Sequence, residues 1–134
     1  MARSIRVFYS NMQGVSRQNF NWSPITKKSA VLITAAQFFW PGGIGGLETI
    51  RPHLGAASIW VSNVGAHDPE GPGGSGSGGV EFLLHVDSNT PLNVMVTITV
   101  LDNIEQYHRI NYAVFLLKVH GNIHLNINRG IVMV

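Results

Sequence analysis

The chain has 134 residues, of which 45% are apolar and 12% charged, with a formal net charge of +2 and no cysteine. That is enough chain to bury a core without staples and too apolar for disorder. Disulfides and thiolate metal sites are excluded. The nine basic residues are scattered, and Lys27-Lys28 is their only adjacent pair. A nucleic-acid binder gathers such residues on a stripe, so nucleic acid is an unlikely partner.

A single domain over residues 1–134 is expected. No apolar run approaches the ~20 residues that span a bilayer as a helix. The stretch Met1-Ala2-Arg3-Ser4-Ile5 carries a charge with no apolar segment behind it, which argues against a secretory signal. The compartment stays open.

Ser4 to Tyr9 reads as a first strand, with Ile5, Val7 and Tyr9 on one face. Asn11 to Lys28 is polar and irregular, and reads as a long loop that Phe20 and Trp22 pin to the body. Its Asn21-Trp22-Ser23 fits the glycosylation tripeptide, but Pro24 follows, and the match is taken as chance. Ala30 to Phe39 is a second strand, apolar on both faces, with a short helix as the alternative. Trp40-Pro41-Gly42-Gly43-Ile44-Gly45-Gly46 breaks regular structure. It lacks the Gly-Lys-Ser/Thr ending of a phosphate loop and the dinucleotide glycine spacing. Phe38, Phe39 and Trp40 read as core plus rim, with a membrane surface as the other reading.

Leu47 to Leu54 has room for one turn of helix. Ala57 to Val64 is a third strand. Gly65 to Gly79 is a long hairpin loop whose Gly71–Gly79 part has linker composition, natural or engineered.

The firmest signal follows. Val80, Phe82, Leu84 and Val86 alternate with Glu81, Leu83 and His85. Leu92, Val94, Val96, Ile98 and Val100 alternate with Asn93, Met95, Thr97 and Thr99. Period two in β-branched residues marks half-buried strands. With Asp87-Ser88-Asn89-Thr90-Pro91 as the turn, a hairpin is expected, pairing Leu84 with Val94 and Phe82 with Val96. Leu83 and Met95 would then share an apolar spot on the wet face, covered by a loop, by the N-terminal segment or by another subunit.

Asp102-Asn103-Ile104-Glu105 fits a capping box and predicts a helical turn through Tyr107. A second hairpin is expected from Ile110–Val119 and Ile123–Ile127, with Val119 opposite Ile123 and Leu117 opposite Leu125. Ile131 to Val134 closes the chain as a short strand. These elements predict an all-β fold: an antiparallel β-sandwich of jelly-roll-like type, with seven to nine strands and long loops.

No catalytic signature emerges, and the chain is read as a non-enzyme without a cofactor. The histidines are His53, His67, His85, His108, His120 and His124. His120 and His124 straddle a hairpin tip and lose the helical spacing that would make them joint ligands. His67, Asp68 and Glu70 carry donors for a cation, but loop acids beside glycines are ordinarily solvated, and no metal is expected. Ser75 and Ser77 lack the Gly-x-Ser-x-Gly frame, in a tract too loose to hold a nucleophile.

The leading expectation is a binding module for carbohydrate, lectin-like and oligomeric. Sugar sites use amides and carboxylates for hydroxyls and an aromatic face for stacking. Trp60, Asn63, His67, Asp68, Asp87 and Asn89 are the candidates, with Trp40 as an alternative aromatic. The outline, a small β-rich chain with a Gly-rich stretch before a strand pair, resembles the aegerolysins and also small fungal lectins. No motif is shared, and no residue is carried over. The aegerolysin likeness implies a membrane-active protein at a lipid surface. A self-assembling structural subunit is the third expectation, and a homo-oligomer fits all three.

Overall fold

The structure is a computed structural model that describes residues 1–43, 45–69, 76–119 and 122–129, the part from 112 on by its backbone alone. It is all-β. Eight strands are described: β1 (Arg3–Met12), β2 (Gly14–Asn21), β3 (Ser29–Gln37), β4 (Ser58–His67), β5 (Gly79–Asp87), β6 (Leu92–Asn103), β7 (Tyr112–Val119) and β8 (Asn122–Arg129). The one helical piece among the described residues is a 3-10 turn, Leu47–Thr49. The chain divides into two compact units, Met1–Asn103 and Ile104–Val134.

The first unit contains two antiparallel three-stranded sheets, ordered β1-β6-β3 and β2-β5-β4. Together they hold six strands, fewer than the seven to nine expected of the sandwich, because β7 and β8 form a separate two-stranded sheet. β5 and β6 are each the centre of a sheet, and neither pairs with the other. The expected hairpin between them is therefore wrong. The alternation is right: Val80, Phe82, Leu84 and Val86 are buried on β5, as are Val94, Val96, Ile98 and Val100 on β6. All eight belong to one apolar cluster fed by both sheets. Period two fixes which face of a strand is buried. It does not say whether the matching apolar row lies beside it in the same sheet or across from it in another. Here it lies across, a sandwich-like arrangement.

The pairing follows a simple plan. Residues 3–21 run antiparallel to 79–103, first as β1 on β6, then as β2 on β5. Residues 29–67 flank the same segment on its other side, as β3 on β6 and β4 on β5. Three long segments lie side by side, and each passes from one sheet to the other at a corner. In the first segment the corner falls at Asn11 (φ 58°), Gln13 and Gly14 (φ 71°). Left-handed backbone is cheap for glycine and tolerable for asparagine. In the middle segment the corner is residues 88–91, where Ser88 donates to the Val86 carbonyl (3.1 Å) and accepts Gln13 Nε2 on its own carbonyl (3.1 Å).

Register is strongly fixed. Burying a side chain of this kind is worth about 1.5–3 kcal/mol. Slipping β5 by one residue would turn four of them outward, at a cost on the order of 6–12 kcal/mol. That rivals the whole stability of a small domain.

β2 lies within a stretch read as loop. Its inward positions are Ser16, Gln18 and Phe20, so no apolar row announces it. Gln18 Nε2 donates to Ser16 Oγ at 2.9 Å, which lets an edge strand turn polar groups inward. Phe20 and Trp22 do pack on the core, as expected, and the Arg3 guanidinium lies 5.6 Å from the Trp22 ring centre.

Met95 and Leu83 do not meet, because they lie on outer faces of different sheets. Met95 is buried under the long β3–β4 connection, where Phe38 and Ile50 join it with Phe8 and Ala36. A loop covers Met95, whereas Leu83, expected to share that cover, stays partly open. Phe38 is fully buried while Phe39 and Trp40 remain exposed, which is the core-plus-rim pattern.

The capping-box reading fails. β6 continues to Asn103, residues 104–107 are not helical, and Asp102 Oδ1 accepts the N-terminal ammonium at 2.7 Å instead.

In the second unit β7 and β8 form an antiparallel pair, but one residue out of the expected register. Val119 faces Asn122, Leu117 faces His124, and Leu116 faces Leu125. β7 is nearly continuously apolar, so its pattern favours neither register. The expected strand Ile131–Val134 lies outside the described residues.

Candidate sugar-binding face on the second sheet

The outer face of β2-β5-β4 presents cross-strand rows. Val15, His85 and Trp60 form one, Arg17, Leu83 and Ser62 the next, and Asn19, Glu81 and Gly65 the third. Period two puts them there, because the neighbours on each strand point into the core.

Trp60 and His85 stand directly opposite, with rings parallel to within 8° and centres 4.6 Å apart. The imidazole is held from its other end: His85 Nε2 and Ser62 Oγ lie 2.7 Å apart, sharing a hydrogen bond. Trp60 nevertheless remains 47% exposed and Val15 63% exposed. Beside them lies a shallow hollow of about 190 Å³, bordered by Gly14, Val15, Trp60, His85, Val86 and Asp87. Small-molecule clefts usually run to ~300–1,000 Å³, so this is a shallow platform and not an enclosed cleft. Among the described residues the Asp87 side chain, at the exposed end of β5, has no ion-pair or hydrogen-bond partner.

A second hollow of about 200 Å³ opens farther along the face, bordered by Arg17, Asn63, Glu81, Phe82 and Leu83. Arg17 Nη2 donates to Glu81 Oε1 at 2.7 Å. Asn63 sits at φ 54°, where one extra residue is inserted between Ser62 and Gly65. Such a bulge re-aims side chains and blunts an edge strand.

The six sequence-derived candidates thus separate. Trp60, Asp87 and Asn63 share one face. Asn89 is exposed in the following turn and borders neither hollow. His67 and Asp68 lie at the far end of β4, since His67 pairs with Gly79 while Asp87 pairs with Ser58. Eight residues of β5 separate the two ends, roughly 27 Å at ~3.4 Å per residue.

His67 and Asp68 have structural partners. His67 Nδ1 contacts the Asp68 carbonyl (2.8 Å), and Nε2 contacts Asn19 Oδ1 (3.2 Å). Asp68 Oδ1 accepts the Lys27 backbone N–H at 3.0 Å, and Oδ2 pairs with Lys27 Nζ at 3.0 Å. The hydrogen bond from the Lys27 backbone, then that from its side chain, hold the Asp68 carboxyl below its ordinary value. Glu70 lies outside the described residues. Among the described residues no three metal-ligating side chains gather. Trp40 packs on Phe38 and Phe8, with ring centres 4.8 and 6.0 Å away, at the outside of the other sheet.

Val15, Ser62, Arg17 and Glu81 were not anticipated as members of the site. Their signal was the alternation Val15-Arg17-Asn19, legible only once β2 is known to be a strand. No protein-family model matches the chain, and neither the curated proteins nor the solved structures contain a match.

Proposed function

We propose that this protein is a non-catalytic binding module whose ligand is carbohydrate, held on the outer face of β2-β5-β4. One observation carries the reading: an indole stacked on a fixed imidazole, half exposed, beside a carboxylate with no partner among the described residues. The C–H face of a sugar ring stacks on such an aromatic, and its hydroxyls donate to a carboxylate. A cross-strand aromatic pair also stabilises a sheet by itself, by roughly 0.2–1 kcal/mol. That role uses neither the exposed hollow nor the Asp87 carboxylate.

The test is titration of the protein with a panel of sugars, read by tryptophan fluorescence and by saturation-transfer NMR. Binding is expected in the native protein and absent from Trp60→Ala, with Trp40→Ala unaffected. A panel without a single binder would end the proposal.

A membrane-surface reading has its own observation. Phe39, Trp40, Leu47 and Leu54 are all exposed on the β3–β4 connection, and large apolar and aromatic groups of this kind favour the headgroup boundary. Co-sedimentation with liposomes tests it. Homo-oligomerisation fits both readings, because several weak sugar sites gain avidity together. Sizing in solution tests that, as it tests self-assembly as an end in itself. The two sheets are further read as a jelly-roll-like sandwich, since the three paired segments each fold over from one sheet to the other.

A further inference from the structure

We infer that the Trp60 hollow selects a single uncharged sugar ring and rejects anionic sugars; this deepens the carbohydrate reading and rests on it. The charges on this face decide the sign. Asp87 borders the hollow as a free carboxylate. The cation on the face, Arg17, is committed to Glu81 at 2.7 Å, two positions along β2 from Val15. His85 spends its Nε2 on Ser62. From side-chain charges, the face offers one basic group against two acidic ones. A sugar carboxylate placed over Trp60 would meet Asp87, with no uncommitted cation on this face among the described residues to offset it. Like charges at close range on a protein surface repel, and the repulsion weakens with salt.

Size points the same way. At about 190 Å³ the hollow has room for one ring, and the second hollow along the face is a separate one, bordered by Leu83 and the Arg17–Glu81 pair. An ionised Asp87 is an acceptor only, so it accepts hydrogen bonds from hydroxyl groups, and adjacent hydroxyls of one ring can use both its oxygens.

The experiment titrates the intact protein with methyl glycosides of glucose, galactose and mannose, and in parallel with methyl glucuronide and N-acetylneuraminic acid, at low and at high salt. At low salt at least one neutral glycoside is expected to bind about tenfold or more tightly than either acid. Salt should narrow that gap, and Asp87→Asn should narrow it further by removing the repulsion. Equal or tighter binding of an acid by the native protein would overturn this selectivity while leaving the carbohydrate reading intact. A gap unchanged in Asp87→Asn would overturn the role given to Asp87. Silence from every sugar, neutral and acidic, would remove the carbohydrate reading and this inference with it.

Discussion

Met95 and Leu83 show how much a single side chain's surroundings matter. Both sit on outward positions of a central strand, in similar sequence contexts. Met95 is buried beneath Phe38 and Ile50, whereas Leu83 is partly open between two hollows. Truncating a buried methionine leaves a void and costs about 2–5 kcal/mol. Met95→Ala should therefore lower the denaturant midpoint strongly, and Leu83→Ala much less; a urea titration of both variants checks the order. Trp60→Ala belongs at the same scale. Its stability loss should stay at about 1 kcal/mol or below, so that lost binding in that variant reports the indole and not the fold. Tyr9 adds a pH effect, since burial raises its hydroxyl above the ordinary value near 10. A raised value means the folded state favours the protonated form. That contribution is present below pH 10 and fades as pH climbs through the raised value.

The strands and their corners carry the next level. The Gly78 carbonyl accepts the Trp22 N–H at 2.8 Å, and a Cβ on Gly78 would collide with the Ile25 carbonyl. Neither flexibility nor a ligand explains this glycine; the backbones simply approach too closely for a side chain. Gly78→Ala should cost about 1–3 kcal/mol through overpacking, measurable as a lower melting temperature with sugar binding at Trp60 retained. The nearby Asp68–Lys27 contact has a defined pH signature. Its carboxyl is depressed in the folded state, so its stabilisation is full above the ordinary value of 3.8 and disappears as pH falls through the lowered one. Asp68→Asn should be less stable than the native chain at neutral pH and indistinguishable from it in strong acid. Strands with one apolar row, β1, β5 and β6, were legible in the sequence with their buried faces. β2 was not, because Ser16 and Gln18 fill its inward positions and bond to each other. The β7–β8 register was not, because a strand apolar at nearly every position has no preferred face. For the binding face, Trp60 and Asp87 were visible as residue types. Their neighbours Val15 and Arg17 come from β2 and were hidden with it.

At the scale of the whole molecule the open question was how two amphipathic strands satisfy each other. Val80–Val86 and Leu92–Val100 would match equally well side by side in one sheet or facing each other from two. The short turn favours the first and the structure adopts the second, because residues 3–21 and 29–67 each supply a pair of strands that flank both. Each central strand then gains two neighbours, and both apolar rows close into one core. A chain without cysteine makes this arrangement testable by crosslinking. Arg6 and Thr97 are direct partners on the exposed face of the first sheet, and cross-strand Cα atoms lie about 4.5–5.5 Å apart, within disulfide range. Glu81 and Thr97 would be partners if β5 and β6 formed a hairpin. Instead they point away from the core on different sheets, and packed sheets are themselves ~10 Å apart. The double variant Arg6→Cys/Thr97→Cys should therefore oxidise to an intramolecular disulfide under native conditions, seen as a mass loss of two hydrogens in a monomer. Glu81→Cys/Thr97→Cys should keep both thiols free until the chain is unfolded. Ready closure of the second pair in the native state would restore the hairpin and dismantle the two-sheet arrangement, and with it the open face on which Trp60 stands.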